Sequence, residues 1–357
     1  QSSEKLHKLT KENIQSKRSI ENINVYKGGK AKLNNNKRVI KLSSNENPYG
    51  ASPKAIELLE TKNINHDLHR YPEIDGSSLR EAIAKNFSID SNRIILGSGS
   101  DEVLLFAALA FCQDGDEILH ANHGFEMYSI VSKVVGAVPK KIKEDVNFNL
   151  NIENLIDQTN DATKVIYIAS PNNPTGTYNS HSEIIDFLDK VPNDVLVVID
   201  LAYYEYVLAE DYIDHKEILN SYSNVIFTRS FSKIHALAGS RIGYGLASKK
   251  IVNDFNDYRQ PFNINYVAQE MAAVSLLDKS FVNRSLRAND KGMKYLKSSF
   301  DDLGVPYLNS YTNFLTIKFG QKTKRIFNDL LSQGCLLYTS DAADEGLGVD
   351  LGGRRII

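Results

Sequence analysis

The chain has 357 residues, enough at about 150 residues per domain for roughly two domains. Hydrophobic residues make up 42% and charged residues 24%, the proportions of an ordinary globular protein. The 42 Lys and Arg against 44 Asp and Glu leave a formal net charge of −2, which argues against a nucleic-acid binder held by bulk charge. Two cysteines, Cys112 and Cys335, supply neither a disulfide framework nor a zinc cluster, so a reducing, cytoplasmic setting is expected. No apolar run reaches the roughly 18 residues that span a bilayer, so no membrane contact is expected. Gln1 to Lys30 is polar and lysine-rich and lacks the apolar core of a secretory signal. It opens on Gln rather than Met, and an earlier start is expected.

The first forty residues carry few apolar positions and read as an arm lying on something else. Ser52-Pro53-Lys54 then opens a helix, with Ser as cap and Pro in the first turn. Leu79 to Phe87 is a second helix. Arg93 to Leu96 is a short apolar strand ending in Gly97-Ser98-Gly99-Ser100, and Asp101 to Phe111 is an apolar helix. Strands follow at Glu117–His120, Lys164–Ala169, Val195–Asp200, Asn224–Thr228 and Gly243–Leu246, with helices at Ser129–Val135 and His181–Leu188. Strands alternating with helices imply right-handed crossovers and a largely parallel sheet. Continuous apolar strands imply that both faces are covered.

After Pro261 the rhythm changes. Val267–Leu277, Asn283–Phe300 and Lys324–Leu331 read as helices, and Tyr307-Leu308 and Phe314–Phe319 as strands. This is a smaller α+β unit, which the N-terminal arm could complete. Thr339 to Ile357 departs from the rest in composition: it holds four of the 21 glycines where about one is expected, and no Asn or Lys. The string LLYTSDAADEGLGVDLGGRRII resembles translated sequencing-adapter sequence and is set aside from fold and site reasoning. The expected division is an arm (1–45), a large α/β unit (46–262), a small C-terminal unit (263–337) and a non-native tail (338–357).

Ligands of open parallel sheets bind beyond the carboxyl ends of the strands, so the polar residues there carry the chemistry. Gly97 to Asp101 joins a strand to a helix, and its glycines and helix N-terminus suit a phosphate. The same residues also make an ordinary helix cap. Ser170-Pro171-Asn172-Asn173-Pro174-Thr175-Gly176 is a fixed loop presenting an amide, and by itself a plain turn. Asp200 ends the most apolar strand. A carboxylate there is costly unless it meets a partner, such as a cationic ring nitrogen, or caps a helix. Ser230-Phe231-Ser232-Lys233 follows the next strand, with Gly239-Ser240-Arg241 beyond it. A lysine at a strand end can attack a carbonyl cofactor, and hydroxyls with an Arg fork suit a phosphate.

Taken together, NENPYG, RYPEIDG, GSGSDE, SPNNPTG, DLAYYEY and SFSKIHALAGSRIGY resemble the class I/II pyridoxal-phosphate aminotransferases, and within them the histidinol-phosphate aminotransferase family, over about residues 20 to 335. The resemblance implies the pyridoxal-phosphate transferase fold (fold type I), a mostly parallel α/β sheet with a smaller α+β domain. It implies pyridoxal 5'-phosphate as cofactor, with Lys233 as its covalent lysine and base. Asp200 would hold the ring nitrogen protonated, and Tyr203 and Asn173 would hydrogen-bond the phenolic oxygen. Gly99, Ser100, Asp101, Ser230 and Arg241 would hold the phosphate, and Phe125 would stack on the ring. Tyr71 would reach the cofactor of a neighbouring subunit, which implies a homodimer. Asn47 and Tyr49 would border the substrate, as would Asn173.

The implied reaction moves an amino group from a histidinol-phosphate-like donor to a 2-oxo acid such as 2-oxoglutarate. A decarboxylase of the threonine-phosphate type is the alternative on the same site, and a non-catalytic nucleotide binder using Gly97–Asp101 is a third reading. His66, His69, His120, His181, His215 and His235 have no ligand spacing, so no metal is expected. His123-Gly124 stands where the family usually has Pro-Thr. The family's substrate-binding arginine falls in the region of the aberrant tail, and Arg354 and Arg355 match no motif for it. The expectation is that the chain binds the cofactor but transaminates poorly. Equal turnover by this chain and by one carrying a family-like C-terminus would contradict that.

Overall fold

The computed structural model describes residues 16–20, 23, 39–61 and 67–338, with the backbone of 339 and of 349–352. Most of the expected arm, His66, Arg354 and Arg355 lie outside the described residues. In chain order the elements begin with β1 (Ile40–Lys41), α1 (Pro53–Thr61), α2 (Ser77–Phe87), β2 (Ile94–Gly97), α3 (Ser100–Phe111), β3 (Glu117–Ala121) and α4 (Met127–Val135). They continue with β4 (Val138–Ile142), α5 (Ile152–Gln158), β5 (Thr163–Ala169), α6 (His181–Leu188), β6 (Leu196–Asp200), α7 (His215–Ser221), β7 (Val225–Ser230), β8 (Gly243–Ala247) and α8 (Lys249–Asn256). The last part holds α9 (Tyr266–Leu277), α10 (Lys279–Asp302), β9 (Phe314–Ile317), α11 (Thr323–Ser332), β10 (Cys335–Leu336), β11 (Tyr338–Thr339) and β12 (Val349–Gly352).

The central sheet has seven strands in the order β2-β8-β7-β6-β5-β3-β4. Strands β7, β6, β5, β3 and β4 run parallel, whereas β8 is antiparallel to both β2 and β7. Side chains alternate across β6: Val197 and Ile199 join one core, and Leu196 and Val198 the core on the other face. Val197, Val198 and Ile199 are fully buried, each contributing about 1.5–3 kcal/mol relative to exposure. Burial on both faces is why these strands read as unbroken apolar runs.

Local chemistry sets most helix starts. Ser180 and Glu183 form a capping box on α6, and Asn151, Asp214, Ser248, Asn265 and Asp278 cap α5, α7, α8, α9 and α10. The Ser52 hydroxyl, expected as the α1 cap, donates instead to Asp278 Oδ2 at 2.6 Å and ties α1 to the start of α10. The sequence reading missed β4, α5, α7 and α8. Strand β4 is an edge strand carrying Pro139, Lys140 and Lys141, so it lacks the apolar signature of the inner strands. Tyr307-Leu308, read as a strand, makes only a bridge from Tyr307 to Ile317.

Strand β1 pairs in parallel with β10, so a segment near the N-terminus completes the C-terminal region. The 3-10 turn Arg18–Ile20 packs on α4. The tail set aside from fold reasoning, 338–357, takes part in the fold at two stretches, β11 and β12. The backbone of Val349–Gly352 pairs antiparallel with β9 and with β11. Ladder bonds use only main-chain groups, so an open strand edge accepts a segment of any origin. Among the described residues, no helix is long and apolar enough to cross a membrane and no group of His, Cys, Asp or Glu could hold a metal ion.

His215 is buried in an aromatic box of Phe87, Tyr204 and Phe227, at 5.3, 5.7 and 6.3 Å between ring centroids, and neither ring nitrogen has a hydrogen-bond partner among the described residues. Burial, with nearby Arg229, holds its pKa down at about 4, and burial holds buried His120 at about 4 as well. A histidine depressed in the folded state stabilises fully above its unfolded pKa of about 6.5 and loses that contribution as pH falls through the folded value. The urea midpoint is therefore expected to fall between pH 6.5 and 4. His215→Phe, which keeps the box and removes two unpartnered nitrogens, is expected to flatten that fall and add about 1 kcal/mol at neutral pH. An unchanged pH slope would contradict this.

Candidate active site

The parallel strands β3, β5, β6 and β7 end at one edge of the sheet, with Ala121, Ala169, Asp200 and Ser230 as their last residues. Because β8 runs the other way, its start at Gly243 lies at that same edge and delivers Arg241 there. A cavity of about 670 Å³ opens above this edge. That volume holds a cofactor together with a small substrate. Gly99, Ser100, Asp101, Phe125, Asn173, Asp200, Tyr203, Ser230, Lys233 and Arg241 all line it, so residues spread over more than 140 positions meet in one place.

Asp200 is 6% exposed and sits on the cavity floor. Its Oδ1 accepts from the Thr228 hydroxyl at 2.9 Å and the Ala202 N–H at 3.2 Å. Its Oδ2 accepts from the Tyr128 hydroxyl at 2.9 Å. Burial pushes the carboxyl pKa upward, and the hydrogen bonds from Thr228 and Tyr128 oppose that push. No cationic side chain among the described residues pairs with it. A buried carboxylate surrounded by neutral donors and facing a cavity is the floor that a protonated ring nitrogen fits.

The loop after β7 presents Lys233, whose Nζ lies 5.4 Å from the centre of the Tyr203 ring. The Tyr203 oxygen accepts from the amides of Asn45 at 3.1 Å and Asn173 at 3.4 Å. With both lone pairs filled, the hydroxyl acts as a donor through its own proton. Behind the loop, buried Arg229 donates to Glu205 at 2.6 Å and lies 4.0 Å over Tyr204, which braces the segment carrying Tyr203 against the strand leading to Lys233.

A concave cluster whose groups would suit a phosphate lies where α3 begins. Gly99 has φ +83° and the Arg241 guanidinium passes so close that a Cβ at 99 would lie 2.5 Å from Nη2. Arg241, itself in the left-handed region at φ 52°, donates to Asp101 at 3.1 Å. The Ser230 hydroxyl accepts from the Ser232 N–H at 3.1 Å. Helix N–H groups, a guanidinium and hydroxyls at one end, a carboxylate at the other and a lysine between them fit pyridoxal phosphate.

Phe125 meets Tyr128 edge-on, with ring centroids 5.8 Å apart. At the position of the usual proline, His123 is clasped by the buried Glu144. The carboxylate accepts from the His123 N–H at 2.5 Å and meets ring Nδ1 at 3.0 Å. The Asn172 amide donates to the His123 carbonyl at 2.8 Å, so this loop is fastened to its neighbours. Three residues fall elsewhere. Asn47 does not line the cavity, because its amide is spent on the Ile234 carbonyl and Ser285, both at 3.0 Å. Tyr49 is turned outward, 47% exposed, with the Arg284 guanidinium over its ring. Ser43 to Glu46 line the cavity in their place. Tyr71 is 81% exposed, stacked on Phe262 at 4.5 Å, and outside its own chain's cavity. Sequence reading assigned no role to Asn45, Tyr128, Thr228 or Glu144. Two of these had a signal: Thr228 is the register partner of Asp200 on the adjacent strand, and Tyr128 lies three residues beyond Phe125.

A Cβ at Gly243 would run into backbone on every side: the Ser100 nitrogen, the Gly99 carbonyl carbon at 2.7 Å and the Arg229 oxygen at 2.9 Å. Gly243→Ala is expected to destabilise by about 1–3 kcal/mol. It is also expected to weaken pyridoxal phosphate binding at least tenfold in a fluorescence titration. Unchanged affinity would place the cradle elsewhere.

Comparison with known proteins agrees with this geometry. The family model described as "Aminotransferase class I and II" matches residues 37–342. Histidinol-phosphate aminotransferase 1 of Idiomarina loihiensis is 37% identical over 299 residues, 84% of this chain and 81% of that protein. The Bacillus licheniformis histidinol-phosphate aminotransferase is 35% identical over 92% of both chains. The solved histidinol-phosphate aminotransferase of Sinorhizobium meliloti, in complex with pyridoxal-5'-phosphate, superposes with a TM-score of 0.82 at 21% identity over 88% of this chain and 86% of that one, a likeness of fold. The chain belongs to the class I and II aminotransferases, enzymes built around pyridoxal phosphate.

Proposed function

We propose that this aminotransferase takes its amino group from histidinol phosphate or a closely similar amine and gives it to a 2-oxo acid such as 2-oxoglutarate. The single observation that carries the donor is the run of relatives, 35–39% identical over most of the chain, named histidinol-phosphate aminotransferases. The decarboxylase alternative has less support: the threonine-phosphate decarboxylase of Porphyromonas gingivalis, at 21% identity, shares the fold alone.

The cofactor, when bound, supplies an electron sink for the bonds at the substrate's Cα. The chain's own residues do the rest. Asp200 holds a proton on the ring nitrogen, which keeps that sink strong. Tyr203, fixed by Asn45 and Asn173, donates to the phenolic oxygen. Arg241, Ser230 and the α3 N-terminus anchor the phosphate, and Phe125 covers the ring. Lys233 would hold the cofactor's aldehyde carbon and, as a free amine, would be the base placed to take a proton from the substrate's Cα. A homodimer is part of the reading, with Tyr71 serving the neighbouring subunit. Its support is that Tyr71 is held outward on Phe262 rather than turned into its own cavity. The cytoplasm is the proposed setting.

With histidinol phosphate and 2-oxoglutarate, the holoenzyme is expected to form glutamate, at the low rate anticipated from its C-terminal tail, without releasing carbon dioxide. Lys233→Ala is expected to lower that rate by about 10²–10⁴-fold. Carbon dioxide released without any 2-oxo acid would favour the decarboxylase reading instead.

A further inference from the structure

Tyr128 occupies a position that the aminotransferase reading leaves without a role. It is 1% exposed at the start of α4, its ring stacks on Tyr167 at 4.9 Å and 10°, and the Tyr167 hydroxyl donates to the Leu104 carbonyl at 2.8 Å. The Tyr128 ring edge meets Phe125, the aromatic cover, and its hydroxyl donates to Asp200 Oδ2 at 2.9 Å. One side chain therefore touches both the cover and the floor of the ring site.

The two oxygens of Asp200 are unequally served. Among the described residues Oδ1 has two donors, Thr228 and the Ala202 N–H, whereas Oδ2 has Tyr128 alone. We propose that Tyr128 is a positioning residue that sets, through its single hydrogen bond to Asp200 Oδ2, how completely the proton stays on the cofactor's ring nitrogen. The physical reason is proton sharing. A carboxylate that accepts more hydrogen bonds is a weaker base, and a weaker base leaves more of a shared proton on the nitrogen. The low dielectric of the site enlarges the effect of each donor. Burial holds the Tyr128 pKa far above its ordinary value, so the hydroxyl keeps its proton and remains a donor throughout the working range of pH. The stack on Tyr167 fixes the direction of that donation.

This inference rests on the pyridoxal phosphate reading, and the test separates the two. Tyr128→Phe keeps the ring, its stack on Tyr167 and its edge on Phe125, and deletes only the donor. The full chain is loaded with pyridoxal phosphate carrying ¹⁵N in the ring, and the nitrogen chemical shift is measured. Wild type is expected to give the shift of a protonated ring. Tyr128→Phe is expected to move it towards the unprotonated value, while the dissociation constant for the cofactor rises no more than about tenfold. Thr228→Val, which leaves the Ala202 N–H on Oδ1, is expected to move it less in the same direction, and it supplies the test if the Tyr128 variant does not fold. A residue with a merely structural role would lower the melting temperature without moving the nitrogen shift. Unchanged shifts in folded, loaded variants overturn the proposal, whereas a wild-type chain that holds no cofactor overturns the reading beneath it.

Discussion

A carboxylate at the end of a fully apolar strand is the constraint on which this molecule turns. Removing Asp200 from water without a counter-charge is unfavourable by several kcal/mol, and three neutral donors offset only part of that. The remainder is met when a cation sits on the cavity floor. The residues around the cavity suit that need: Asp200 on the floor, Lys233 and Tyr203 beside it, and Gly99, Ser100 and Arg241 where α3 begins. The apolar core and the chemistry are thus coupled, because the packing that buries β6 is also what makes Asp200 demand its partner.

The sheet supplies the remaining order. Parallel strands place β3, β5, β6 and β7 with their last residues together, and register puts Thr228 beside Asp200. The antiparallel β8 brings Arg241 back to the same edge, where glycines at 99 and 243 let backbone and guanidinium approach closely. Buried Arg229 and half-buried Glu205 stiffen the segments leading to Lys233 and Tyr203 from behind. The functional groups hang from several strands: Ser100 follows β2, Asn173 follows β5, Asp200 and Tyr203 belong to the end of β6, Ser230 and Lys233 to the end of β7, and Arg241 precedes β8.

Much of this was legible in the chain itself. Apolar runs at β5, β6 and β7 announced a sheet buried on both faces, and the ordered motifs at the strand ends pointed to Lys233, Asp200, Asn173 and Arg241, which the fold brings around one cavity. What escaped has physical causes. Strand β4 is an edge with lysines and a proline, and α5, α7 and α8 are only seven or eight residues long and owe their starts to single capping side chains. The direction of β8 is fixed by tertiary pairing and has no local signature. Tyr128, Thr228 and Glu144 act on other protein groups, so only the folded register reveals them. Asn47 and Tyr49 were carried over from a motif, and two residues earlier, at Asn45, the same segment touches Tyr203 directly.

His123 shows how one substitution within a family pattern can be absorbed. A proline would stiffen the loop by its ring and offer no N–H, whereas here a buried Glu144 clasps both the N–H and the imidazole. The loop that carries Phe125 is fastened through these contacts and through the Asn172 amide.

Whether Lys233 and Asp200 hold one and the same cofactor is answered by borohydride trapping. The full chain is loaded with pyridoxal phosphate, reduced, digested and mapped by mass spectrometry. The cofactor is expected on the peptide carrying Lys233 in the wild type, and in much lower yield when Asp200 is replaced by Ala. A label on any other lysine, or none with cofactor in excess, would contradict the account.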